Sequence, residues 1–226
     1  MNILKIGIIT LISSVLMVLP STAREVRIGA SASIAGIQAT GSETLKDANT
    51  VTSTEEHANA VIPSIFVEIA SDTGLGFGID YVVGEAELSG STKSRNLPAA
   101  GGSAVNDSGT NTASAEIDSI ISYYLTKSFD SGLYIKAGMT QADIKTKEVL
   151  ASGSTYADAT VDGVHFGIGF ERANDAGMFF RSGVEYTDFD DISLTSQVPD
   201  VTTATSNKIT ADIDVLAAKF SVGKKF

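Results

Sequence analysis

Three observations predict an all-β chain folded as an eight-stranded antiparallel up-and-down barrel whose strands cross a membrane. Apolar residues recur at every second position in eight separate segments. The connections between those segments are alternately short and long. Phe226 ends an alternating strand in which Leu216, Ala218, Phe220 and Val222 precede it. An aromatic there suits a lipid-facing strand that stops where hydrocarbon meets head groups.

Ahead of the strands, Met1, Asn2 and Lys5 lead into an apolar run from Ile6 to Leu19; Pro20 breaks it and Ser21-Thr22-Ala23 supplies small residues. That is the pattern of a cleaved secretory signal over 1–23, leaving 24–226 as one barrel domain. The run is short for a spanning helix, which needs about 20 apolar residues. The net charge is −11, and removing Lys5 makes the balance more acidic, which argues against a nucleic-acid partner. There is no cysteine, so no disulfide framework supports an exported chain. Glycine-rich and tryptophan-free, the composition does not describe a helical bundle.

The first segment, Val26–Ile37, places Val26, Ile28 and Ile34 on one face; Val61–Ser71 does so with Ile65, Val67 and Ile69. Leu75–Leu88 sets Phe77, Ile79 and Tyr81 against Gly76, Gly78 and Asp80, and Ala113–Lys127 sets Ile121, Tyr123 and Leu125 against Ser122 and Tyr124. Leu133–Lys145, Val161–Arg172 and Met178–Phe189 repeat the scheme with Ile135, Ile168 and Val184 on the apolar side. The eighth, Ile209–Phe226, changes parity between Val215 and Leu216, which reads as a β-bulge. Short connections are Asp72–Gly74, Ser128–Gly132 and Ala173–Gly177; long ones are 38–60, 89–112, 146–160 and 190–208. In a membrane barrel the short turns are periplasmic and the long loops extracellular.

Parity does not say which face is inside. A soluble lipocalin-like barrel would turn the apolar face inward around a ligand. The other face favours the inverted arrangement: it carries Gly76, Gly78, Gly138, Gly167, Gly169 and Gly183, suited to a crowded lumen, and charges of both signs at similar heights. Aromatics on the apolar face also band, with Phe77, Phe170, Phe180, Tyr123 and Phe226 near the short turns and Tyr81 and Tyr186 toward the other end.

With its leader, its strand rhythm and its ending Lys219-Phe220-Ser221-Val222-Gly223-Lys224-Lys225-Phe226, the chain resembles the small eight-stranded outer-membrane β-barrel superfamily, the OmpA/OmpX-like porin-family barrels. The resemblance implies a bacterial outer-membrane location and recognition of Phe220, Val222 and Phe226 by the barrel-assembly machinery. With the eight segments assigned, no sequence is left over for the peptidoglycan-binding domain of larger OmpA-type proteins, and none is expected.

Inside the barrel, Glu68, Lys136, Glu171 and Arg181 fall at one depth from the short turns, with Glu171 in reach of both Lys136 and Arg181. Such a set is expected to pair and plug a lumen only wide enough for side chains; a partner-exchanging ion gate is the alternative. Above it, Asp80, Glu116, Asp118, Glu185, Asp212 and Asp214 have no matching bases and are expected to form a wet acidic vestibule that attracts cations. Neither His57, in a long loop, nor His165, on the lumen face, has a nucleophile at a recognisable spacing. No enzyme is expected, and no catalytic group, cofactor or metal site; Thr187-Asp188-Phe189-Asp190-Asp191 lacks the glycine and distal glutamate of a calcium loop. The expected role is structural or surface-interacting, with lipid and lipopolysaccharide, and possible cations, as partners of a monomer. A small cation-preferring porin-like channel and the soluble ligand-binding barrel are the alternatives.

Overall fold

The computed structural model describes residues 23–44, 51–84, 86–95, 109–149, 155–197 and 206–226; the expected leader, apart from Ala23, lies outside them. The strands are β1 (Ala23–Thr44), β2 (Val51–Ser71), β3 (Leu75–Val82), β4 (Ala86–Arg95) and β5 (Gly109–Ser128). They continue as β6 (Leu133–Val149), β7 (Ala159–Ala173), β8 (Met178–Phe189), β9 (Ile192–Thr195) and β10 (Lys208–Lys225). In the order β1-β2-β3-β5-β6-β7-β8-β10, with β10 returning to β1, they close eight antiparallel staves, the number and order expected. The closing ladder runs without a shift from Arg27 opposite Lys225 to Thr44 opposite Lys208. Below it, Val26 and Phe226 exchange backbone N–H···O bonds of 3.1 and 2.8 Å.

The three short turns fall where expected, each with a glycine at positive φ: Gly74, Gly132 and Gly177. A Cβ on Gly74 would lie 2.3 Å from the Ser128 carbonyl oxygen, so only glycine fits. Each of these glycine carbonyls accepts a bond from near the end of the stave after next, β5, β7 or β10: Ser128 N–H at 2.7 Å, Glu171 N–H at 2.7 Å and Lys225 N–H at 2.8 Å. The turns are thereby stitched to the wall.

In the lower part of the barrel the apolar face is outward. Ile168 is 54 % and Val222 56 % exposed, whereas the Glu171 side chain is only 9 % exposed. The lumen has room for rings because glycines face them across the strands: Gly29 opposite Phe66, Gly78 opposite Tyr124, Gly169 opposite Tyr134, Gly223 opposite Phe179. A Cβ on Gly78 would meet the Tyr124 ring at 2.3 Å.

Higher up, the polarity inverts. On β10 the outward set Phe220, Ala218, Leu216 gives way to inward Ile213; on β8 outward Tyr186 gives way to inward Phe189; on β6 outward Met139 gives way to inward Ala142 and Ile144. β1 and β7 do the same with inward Ile37 and Val161. The expected bulge between Val215 and Leu216 is therefore absent: both ladders of β10 run through these residues in register. What changes is the surroundings of the wall, from apolar outside and polar inside to the reverse. A register shift does occur on β5, between Ile117 and Ser119.

The strands also run past their expected ends, because Ser, Thr and Ala on a water-facing strand read like loop. Residues 38–44 and 51–60 belong to β1 and β2, so His57 is on a strand, and β4 and β9 occupy stretches expected as loop. Above Pro63, whose missing N–H ends the β2–β3 side of the ladder after the Val83 N–H···O bond of 2.9 Å, β2 has no ladder to β4 among the described residues. β9 likewise pairs with β10 and not with β7. Two four-stranded groups result, β9-β10-β1-β2 and β4-β5-β6-β7. Their inner faces, with Phe189, share the cluster of Ile37, Ile117, Ala142, Ile144, Val161, Ile192 and Ile213.

Candidate functional site: an ionic column beneath an apolar plug

Alternation on β1, β2, β7, β8 and β10 sends one charged side chain after another into the bore. Nearest the short turns, Glu68 accepts Arg181 Nη1–H at 3.0 Å, Arg181 Nη2–H at 2.9 Å and Arg27 Nη1–H at 2.9 Å. Glu171 accepts Arg181 Nε–H at 2.6 Å and pairs with Lys225 Nζ at 2.7 Å and Arg27 Nη1 at 3.4 Å. Glu25 adds a contact to Arg27. The Arg181 guanidinium lies 5.6, 5.3 and 5.2 Å from the Phe66, Tyr134 and Phe179 ring centres, so it makes cation–π contacts as well as ion pairs.

One level higher, Lys136 Nζ donates to Glu185 Oε1 at 3.0 Å and sits 4.1 Å from the Tyr124 ring centre. Lys219 Nζ donates to Asp80 Oδ2 at 2.6 Å and lies 3.6 Å from Glu185 Oε2. A cavity of about 10 Å³, bordered by Tyr134, Lys136, Arg181, Glu185 and Lys219, separates the two levels. His165 Nδ1 shares a 3.0 Å hydrogen bond with Thr140 Oγ1, while Nε2 has no partner among the described residues. Above it the apolar cluster fills the bore.

The structure brings Glu68, Glu171 and Arg181 together but places Lys136 elsewhere: Lys136 pairs with Glu185, not Glu171, because the tilted staves carry β6 one level above the Arg181 row. Asp80 and Glu185, expected without bases, are both paired. Asp212 and Asp214 are not in the bore; the unbroken parity of β10 turns them outward, where Tyr186 O–H donates to Asp214 at 2.5 Å. The side chains of Glu116 and Asp118 lie outside the described ones. An open acidic vestibule therefore does not form from Asp80, Glu185, Asp212 and Asp214. Glu25, Arg27, Lys219 and Lys225 are the members that the sequence reading missed, although each alternates with outward apolar neighbours such as Val26, Ile28 and Phe220.

Outside the wall, above the apolar belt, Asp143 accepts from Thr160 and Ser119 hydroxyls at 2.7 and 3.0 Å, which lowers its carboxyl below the usual range. Asp188 is raised instead, by partial burial first and then by the charges of Asp214 and Asp212. Asp188 and Asp214 are direct cross-strand partners.

No protein-family model matches the chain, and no curated protein matches its sequence. Among solved structures it is similar to the outer membrane protein OprG from Pseudomonas aeruginosa, with a TM-score of 0.55 and 13 % identity over 91 % of this chain and 97 % of that one. The outer membrane protease OmpT from Escherichia coli gives 0.47 and 9 %, over 91 % and 98 %. AlkL, solved in lipid bilayers, gives 0.46 and 13 %, over 91 % and 92 %. The closed stave order and the likeness to OprG establish one thing in common, and the chain has the fold of the small eight-stranded outer-membrane β-barrel.

Proposed function

We propose that the protein is a non-enzymatic barrel of the bacterial outer membrane, exported on a cleaved leader at 1–23, with its short turns in the periplasm. Its role is structural or surface-interacting, carried by the strands that project beyond the lipid. The observation that carries this reading is the inversion of wall polarity at one level on β1, β6, β7, β8 and β10. A wall that is greasy outside below that level and greasy inside above it matches lipid followed by water. The bore supports a plug: five acids (Glu25, Glu68, Asp80, Glu171, Glu185) meet five bases (Arg27, Lys136, Arg181, Lys219, Lys225) beneath an apolar seal. His57, beside Glu55 at 3.4 Å, and His165, held by Thr140, support a structural use of both histidines. Phe220, Val222 and Phe226 face outward, as an assembly signal read by the insertion machinery requires.

Two measurements test the reading. Unheated protein should migrate faster in SDS gels than boiled protein, and refolded protein should give no discrete conductance steps in planar bilayers. Stepwise cation-selective conductance would establish the porin-like alternative. Solubility in buffer with no gel shift would establish the soluble ligand-binding barrel.

A further inference from the structure

Three basic side chains leave the wall beside the short turns: Lys127 on β5, Arg172 on β7 and Lys224 on β10. Each is the penultimate residue of its strand and shares the outward parity of Leu125, Phe170 or Val222 two residues earlier. The three strands are alternate staves, so at least two inter-strand steps, about 10 Å, separate neighbouring groups. They are held at the rim. Lys127 Nζ donates to the Thr73 carbonyl at 2.5 Å and lies 5.9 Å from the Phe129 ring centre. Arg172 Nη1 donates to the Ser131 carbonyl at 2.8 Å, and Lys224 Nζ sits 5.2 Å from the Phe226 ring centre. These contacts leave two ammonium hydrogens on Lys127 and four guanidinium hydrogens on Arg172 unused. Exposed Phe129, Phe170, Phe180 and Phe226 share this rim, at the depth where aromatic and snorkelling basic side chains meet head groups. Asp72, Asp130 and Asp175 belong to the turns beyond the strand ends.

At the other end the first outward polar residues on β7, β8 and β10 are acidic: Asp162, Asp188 and Asp214. On β7 and β10 the outward charges that flank the apolar belt thus differ in sign between the two ends, on a chain whose net charge is −11. A chain of that sign has no general attraction for anionic lipid, so any such preference must come from a local patch. We infer that the Lys127–Arg172–Lys224 rim binds the phosphate of anionic phospholipid head groups in the leaflet on the short-turn side. The inference rests on the membrane reading above.

The test is native mass spectrometry of the protein in detergent micelles given equal amounts of phosphatidylglycerol and phosphatidylcholine. The wild type should retain phosphatidylglycerol in excess. K127Q/R172Q/K224Q should lose roughly tenfold of that retention with the phosphatidylcholine count unchanged, and D162N/D188N should keep it. Equal retention of the two lipids by the wild type, or undiminished excess in the triple variant, overturns the inference and leaves the membrane reading standing. Protein that stays in buffer and ignores the micelles overturns both. Should the triple variant not fold, raising salt on the wild type decides: the excess should fall with ionic strength, and a salt-insensitive excess overturns the inference.

Discussion

Replacing Glu68 with alanine removes the centre of the lower ionic level. Its carboxylate is fully buried and accepts two N–H groups from Arg181 and one from Arg27. Without it, Arg181 is left with Glu171, which already holds Lys225, and Arg27 with Glu171 and Glu25. Breaking a buried pair by removing one partner costs about 3–5 kcal/mol, because the remaining charge is uncompensated. Since no solvent reaches Glu68, that figure needs no discount for screening. The assay is urea unfolding in lipid vesicles, read as loss of the fast-migrating gel form. E68M/R181M should cost much less than the sum of E68M and R181M, since replacing both charges leaves Arg27 with Glu171 and Glu25. A cost for E68A below about 1 kcal/mol, or strict additivity in the double variant, would refute the pairing.

The remaining predictions probe other levels. Gly169→Ala should destabilise the barrel by about 1–3 kcal/mol, since its Cβ would lie 2.3 Å from the Ser182 carbonyl oxygen, whereas Gly36→Ala, with nothing nearer than 3.8 Å, should be near neutral; the melting temperature of the gel-shifted form separates them. Phe189→Ala should cost about 3–5 kcal/mol of local stability in the projecting strands, seen as faster hydrogen exchange there while SDS resistance persists. Asp188 has a raised folded-state pKa, so it binds its proton more tightly folded than unfolded, and its contribution to stability falls as pH rises above the usual carboxylate value. Asp188→Asn should therefore be more stable than wild type at pH 7, and the gain should vanish in acid; an equal gain at both pH values would contradict this.

Stave number, chain order, the three turns and the outward apolar face were legible because an apolar exterior and a narrow polar bore impose opposite demands on alternate residues. Ile168 and Glu171 announce both sides of the wall. Less legible was where the outward apolar belt stops. An alternation rule that assumes one solvent turns Val215–Leu216 into a bulge and sends Asp212 and Asp214 inward; two solvents in succession need no irregularity. Ionic partners were harder still. Counting residues from the turns ignores strand tilt, which lifts Lys136 to Glu185 and lets Lys219 reach Asp80. Arg27 was overlooked although Val26 and Ile28 on either side fix its direction.

The chain has no tryptophan, so single-tryptophan variants report one position each. Quenching by lipids brominated along the acyl chain, compared for Ile168→Trp, Val222→Trp and Phe189→Trp, tests the two-solvent wall most directly. Ile168→Trp and Val222→Trp should be strongly quenched and Phe189→Trp untouched. Equal quenching at all three, or none at Ile168→Trp, would contradict it.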